Sequence, residues 1–147
     1  LRHPDNTQQE RDIYLPDFMG QNLYVGHGYP DNPANANSAI SSWYNECSNY
    51  KPPIKTDIPT NFEAVGHFTQ VTWKDATKLG CAVVDCPKKM KTSNDVNVET
   101  KGSIIACNYD KGNVGGQFND MVPTNAKCVP DNPWIRSIQP ATTSAIS

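Results

Sequence analysis

Gly66-His67-Phe68-Thr69-Gln70-Val71-Thr72-Trp73 decides the fold. It brings an imidazole, polar side chains and two large aromatics into about two helical turns, which predicts a short helix with a buried face and one titratable group. Thirty-odd residues on, Ile105-Ala106-Cys107-Asn108-Tyr109-Asp110 pairs an apolar strand with a polar tip. Either stretch alone is ordinary; the two in this order are not.

The bulk composition narrows the function classes. A chain of 147 residues is one domain with room for a core. Twelve prolines and nine glycines predict many turns and few long helices. A net charge of −2 gives no electrostatic case for nucleic acid or an anionic membrane surface, and no apolar run reaches the roughly 20 residues of a membrane span. No signal peptide is visible, and Leu1 in place of Met points to a processed product or an artificially shortened chain. Five cysteines in a Pro- and Asn-rich chain favour disulfides over a zinc knuckle, since Cys107 has no second ligand beside it. The expected compartment is extracellular, with one thiol left over.

Outward from the octapeptide, the elements read as follows. Gln21 to Val25 is an extended segment closed by Gly26 and Gly28. Asn32 and Pro33 open a helix as N-cap and first helical residue. Ile40, Trp43, Tyr44 and Cys47 form its apolar face, and Lys51-Pro52-Pro53 ends it. Leu79 to Cys86 is a strand, Lys88 to Lys101 a charged connection, and Ser103 to Asn108 the returning strand. Cys86 and Cys107 fall at the base of that hairpin, where a bridge is reasonable. From 124 onward the chain is an irregular tail.

His67 and Glu46 are the candidate reactive groups, with His3 and His27 the other imidazoles. On residue type alone the ordinary reading prevails: a solvated glutamate and a hydrogen-bonded histidine. Two histidines with a carboxylate suit zinc and an open coordination position, but no H-E-x-x-H supports that.

The signature stretches change the weighting. Gly66–Trp73 and Ile105–Asp110 with Gly112-Asn113 resemble the two signatures of the CAP superfamily: cysteine-rich secretory proteins, antigen 5 and pathogenesis-related class-one proteins. Gly20-Gln21-Asn22-Leu23-Tyr24 resembles its Gly-Glu-Asn-Leu segment, Trp43-Tyr44-Asn45-Glu46 its Trp-x-x-Glu, and Arg2-His3-Pro4 the stretch before them. The pattern is similar to secreted fungal members. The resemblance implies an α+β domain over 1–123, an α/β/α sandwich with a small antiparallel sheet lacking its N-terminal helix, then the tail 124–147. It implies a cleft of His3, Gln21, Glu46 and His67, with zinc held by His3 and His67. Gln21 stands where the family has a carboxylate; an amide brings no charge to a cation, so zinc binding is expected to be weak and acid–base catalysis poor. The resemblance also implies a Cys86–Cys107 disulfide, leaving Cys47, Cys81 and Cys128, of which Cys47 and Cys128 pair with each other or serve Cys81.

The loop from Tyr50 to Phe62 carries more apolar side chains than a loop readily buries. They either pin the loop to the body or face a ligand. By resemblance to the sterol-binding loop of fungal members, Tyr50, Ile54, Ile58, Phe62 and Phe68 line a hydrophobic ligand site. The expected function is non-catalytic binding of sterols or related ligands in a pathogenesis or defence setting. The rivals are a zinc-dependent hydrolase or protease at the His/Glu cleft and a homodimeric interaction module.

Overall fold

The computed structural model describes residues 19–27, 35–86, 90–91, 97–98, 102–124 and 128. The first strand, β1, spans Gly20–His27 and continues through Gly26, because every residue pairs with the central strand from Gly20↔Tyr109 to His27↔Gly102. Helix α1 spans Ala36–Asn45 and runs into a 3-10 turn, Glu46–Asn49. Its N-cap is Asn35, whose side-chain oxygen accepts from the Ser38 N–H at 2.9 Å and satisfies a first-turn donor. The expected cap at Asn32 and first position at Pro33 lie outside the described residues. The buried stripe of α1 is Ala39 and Trp43, continued by Cys47 in the 3-10 turn, at spacing i, i+4, i+8. Tyr44 is half-buried and Ile40 is turned toward solvent, so the apolar face is rotated slightly from the one expected.

A second 3-10 turn, Phe62–Ala64, leads into α2, Gly66–Val71, the short helix expected of the octapeptide. Strand β2 spans Leu79–Cys86, and two-residue strands β3 (Met90–Lys91) and β4 (Asn97–Val98) pair within the polar connection. Strand β5 spans Gly102–Tyr109, and a one-turn helix α3 spans Phe118–Met121. The main sheet is three-stranded and antiparallel with β5 central between β1 and β2. The α+β architecture with a small antiparallel sheet is therefore present.

Strand alternation sorts the sheet's side chains. Ile105, Cys107 and Tyr109 of β5 pack against Ala39 and Trp43 of α1. A second cluster joins Cys47, Tyr50, Val65, Phe68, Trp73, Phe118 and Val122 beneath the loop and α2. Within it Trp73 meets Phe118 edge-to-face at 5.4 Å, an arrangement worth about 0.5–1.5 kcal/mol beyond burial. These clusters hold α2 against the end of α1, and that contact makes the site.

The two signature stretches meet through buried polar groups. Thr69 and Gln70 of α2 are fully buried. The Thr69 hydroxyl donates to Asn113 Oδ1 at 2.8 Å, Asn113 Nδ2 donates to the Gly66 carbonyl at 3.0 Å, and Gln70 Nε2 donates to the Lys111 carbonyl at 2.8 Å. The Gln70 amide lies against Gly20 and Gly112. A Cβ on Gly112 would come within 2.6 Å of the Gly20 Cα, so the backbone approach there demands glycine.

Candidate functional site

Glu46 and His67 come together where the 3-10 turn after α1 meets the start of α2. One carboxylate oxygen of Glu46 accepts the backbone N–H groups of His67 at 3.0 Å and Phe68 at 3.2 Å; the other lies 2.7 Å from His67 Nδ1. A carboxylate accepting two amides offers its remaining oxygen as acceptor too, so in the neutral ring Nδ1 carries the proton and Nε2 the lone pair. The ring also stacks on Trp43, with centroids 6.2 Å apart and planes 20° from parallel. Asn22 secures the other side by donating to the His67 carbonyl at 3.1 Å. His67 is thus fixed in tautomer and orientation, with a third of its side chain exposed.

Glu46 is neither solvated nor an idle member of a cleft. It caps the N-terminal end of α2, whose N-cap residue, Val65, supplies no side-chain oxygen. Sequence could not show this, because the bond closes only when α1 and α2 pack. Gln21 lies on β1, opposite Asn108. Its neighbour Asn22 points toward α2 and Tyr109, so alternation sends Gln21 to the opposite sheet face, where Nε2 donates to Asn108 Oδ1 at 2.9 Å. His3 lies outside the described residues. The structure therefore unites Glu46 with His67 and gives Gln21 a partner in Asn108 of the neighbouring strand. Among the described residues there is no cluster of three potential metal-ligating side chains, and both Glu46 oxygens are already engaged.

The loop residues divide into two groups. Tyr50 and Phe68 are buried, 5.7 Å apart, and the Tyr50 hydroxyl donates to the Phe118 carbonyl at 3.4 Å. Burial raises the Tyr50 phenol above its ordinary value of 10.0. Ile54 is half-buried, while Ile58 is 50% and Phe62 38% exposed. Tyr44, Tyr50, Pro52, Phe68 and Thr72 wall a mainly apolar cleft of about 120 Å³. Asn119 orders the loop above it: its Oδ1 accepts from the Ile54 N–H at 2.7 Å and its Nδ2 donates to the Ile54 carbonyl at 2.8 Å. The Gly116 N–H adds a bond to the Asp57 carbonyl at 2.7 Å. Nothing in the local pattern around Asn119 announces this clamp; it arises from a contact across 65 residues.

The disulfides correct one expectation. Cys107 pairs with Cys81, the residue directly opposite it in the β2–β5 register, with Cα atoms 4.1 Å apart. Cys86 stands opposite Gly102, five positions along the strand, or roughly 17 Å from Cys107 at about 3.4 Å per residue. That exceeds the ~7 Å limit for a bridge, and Cys86 is a free, half-buried thiol. Cys47 pairs with Cys128.

The chain matches the cysteine-rich secretory protein family, CAP, over residues 5–109. It belongs to the CAP family. The CAP chain is 37% identical over 99 residues to the pathogenesis-related protein PR-1 of Medicago truncatula, covering 67% of this chain and 48% of that protein. It is 33% identical over 116 residues to the fruiting body protein SC14 of Schizophyllum commune, covering 78% and 51%. It is 33% identical over 104 residues to protein PRY2 of Saccharomyces cerevisiae, covering 70% and 25%. This CAP chain thus spans about half the length of two of these relatives and a quarter of the third. A relative named secreted protein RBT4, from Candida albicans, and the two disulfides both fit an extracellular setting. No helix among the described residues is long and apolar enough to cross a membrane.

Proposed function

We propose that this CAP chain is a secreted, non-catalytic binder of sterols or related small hydrophobic ligands, acting through residues 50–62 in a pathogenesis or defence setting. One observation carries the reading: the loop is ordered by Asn119 and Gly116 yet turns Ile58 and Phe62 outward. An ordered loop loses little conformational freedom on binding. A ligand face of about 200 Å² at roughly 25 cal/mol/Å² contributes about 5 kcal/mol before ordering costs. The cleft is smaller than the ~300–1,000 Å³ of a typical small-molecule site. The ligand accordingly lies along Ile58 and Phe62, with only one edge entering between Tyr44, Tyr50 and Phe68. The setting is supported by the names of the relatives, several of which are pathogenesis-related proteins.

The test is saturable binding of a labelled sterol to the purified chain, with unlabelled sterol and fatty acid as competitors. Ile58→Asp places a charge on the exposed face without touching the buried cluster and is expected to weaken binding at least ~10-fold. Binding by Ile58→Asp equal to the parent overturns the loop as the site, and no saturable binding overturns the function.

A second reading has one observation behind it: Glu46 holds Nδ1, leaving Nε2 of His67 as a metal-binding lone pair. Zinc held weakly by His3 and His67, with a hydrolase or protease activity depending on it, is tested by calorimetric zinc titration. Loss of the zinc heat in His67→Ala supports it; no heat in the parent chain overturns it.

A further inference from the structure

Strand β2 is unlike β1 and β5. All eight residues pair with β5 in unbroken register, yet seven of the eight are exposed, with Leu79, Val83 and Val84 at 61%, 57% and 58%. It is an edge strand, so one row of its backbone groups bonds β5 and the other faces outward among the described residues.

The geometry says which row is which. The Asp110 N–H donates to the Lys78 carbonyl at 3.2 Å, so Lys78, the residue before β2, bonds toward β5. Cys81 and Cys107, with Cα atoms 4.1 Å apart, have the close spacing of a non-hydrogen-bonded pair. Bonding alternates along an antiparallel strand, so Leu79, Cys81, Val83 and Asp85 direct their N–H and C=O groups to the open edge.

We propose that β2 is a homodimerisation edge, pairing antiparallel with β2 of a second copy and continuing the sheet through a two-fold axis. Symmetry and chemistry select the register. A two-fold axis that makes strands antiparallel is normal to the sheet and preserves its faces, so the outward-bonding positions must meet one another. Centring the axis on Cys81 sets Leu79 opposite Val83 of the second copy, and Val83 opposite its Leu79. Each such pair exchanges two backbone hydrogen bonds and buries an exposed apolar contact. Centring the axis one residue further on, at Ala82, sets Leu79 against Asp85. Apolar against apolar favours the Cys81 centre.

A second copy fits better than an unlike partner because the spacing of Leu79 and Val83 is complementary to itself on reversal. The strand also lacks the usual protections of an exposed edge: it holds no proline, no lysine and no bulge, and its single charge is Asp85.

Sedimentation equilibrium of the full chain over a concentration series tests this, with Val83→Pro, Val83→Lys and Cys86→Ser alongside. Val83→Pro deletes an outward-facing N–H and leaves the β5 ladder intact; circular dichroism checks its fold, and Val83→Lys decides if it does not fold. The expected result is a monomer–dimer equilibrium weakened about 10-fold or more by either Val83 substitution and unchanged by Cys86→Ser. A parent chain that stays monomeric at its highest soluble concentration overturns the proposal. So does a dimer indifferent to both Val83 variants, or one lost only in Cys86→Ser, which would be a thiol-linked species.

Discussion

Replacing Glu46 with alanine should destabilise this CAP domain by about 2 kcal/mol. The substitution removes three accepted hydrogen bonds: the His67 and Phe68 amides and the His67 ring. Losing a side-chain cap on a helix N-terminus costs about 1 kcal/mol. The bond from imidazole to carboxylate would be worth about 1.5–3 kcal/mol if buried. With His67 a third exposed, solvent reduces that to about 1 kcal/mol. For a domain of this size, about 2 kcal/mol lowers Tm by roughly 4–8 °C. Thermal melts followed by circular dichroism measure the shift, and urea titration checks that m is unchanged. Glu46→Gln keeps one acceptor and should fall about midway between parent and alanine. Glu63→Ala, on an exposed side chain, should stay within about 0.5 kcal/mol. A double-mutant cycle with His67→Ala should return a coupling of about 1 kcal/mol. If Glu46→Ala melts within about 0.5 kcal/mol of the parent, Glu46 does not hold α2 and the account of His67 orientation fails.

Proteolytic mapping under non-reducing conditions should recover Cys81 linked to Cys107 and Cys47 linked to Cys128, with Cys86 alkylated in the native protein; a Cys86–Cys107 peptide would refute the register. Gly112→Ala should destabilise by about 1–3 kcal/mol because its Cβ meets the Gly20 backbone, whereas Gly80→Ala, with nothing within 4 Å, should be nearly neutral; equal melts would contradict that packing. Burial raises the phenol pKa of Tyr109, as it does that of Tyr50, so both should ionise late in an absorbance titration. A folded pKa above the unfolded one means their contribution is present below pH 10.0 and is lost as pH rises through the folded values; Tyr109→Phe should therefore flatten the alkaline loss of stability. At the acid end, the Lys78 amide bond to Asp110, with further bonds from Thr77, holds its carboxyl below the ordinary 3.8. That contribution is present above 3.8 and lost as pH falls through the folded value, so the gap between parent and Asp110→Asn should close in acid; a gap that stays constant with pH would sink the assignment.

The sequence by itself determined the local elements and the family. The octapeptide gives a short helix, and Leu79–Cys86 and Ser103–Asn108 give antiparallel strands, because periodicity and residue type act within a few residues. The family followed from ordered short motifs, and the polar members of those motifs prove to be the groups that join α2 to the loop at 111–113. What only tertiary structure decided depends on register and on contacts between distant residues. Sequence pointed to Cys86 as the partner of Cys107, but the strand pairing sets Cys81 opposite it and carries Cys86 out of reach. Gln21 and Asn22 are neighbours in one motif, and only the strand pairing shows that Asn22 bonds the His67 carbonyl while Gln21 bonds Asn108. Glu46 became a cap and a tautomer lock only because the end of α1 meets the start of α2. Tyr50 and Phe68 went into the core while Ile58 and Phe62 stayed outside, a division set by where Phe118 and Asn119 arrive from the far end of the domain.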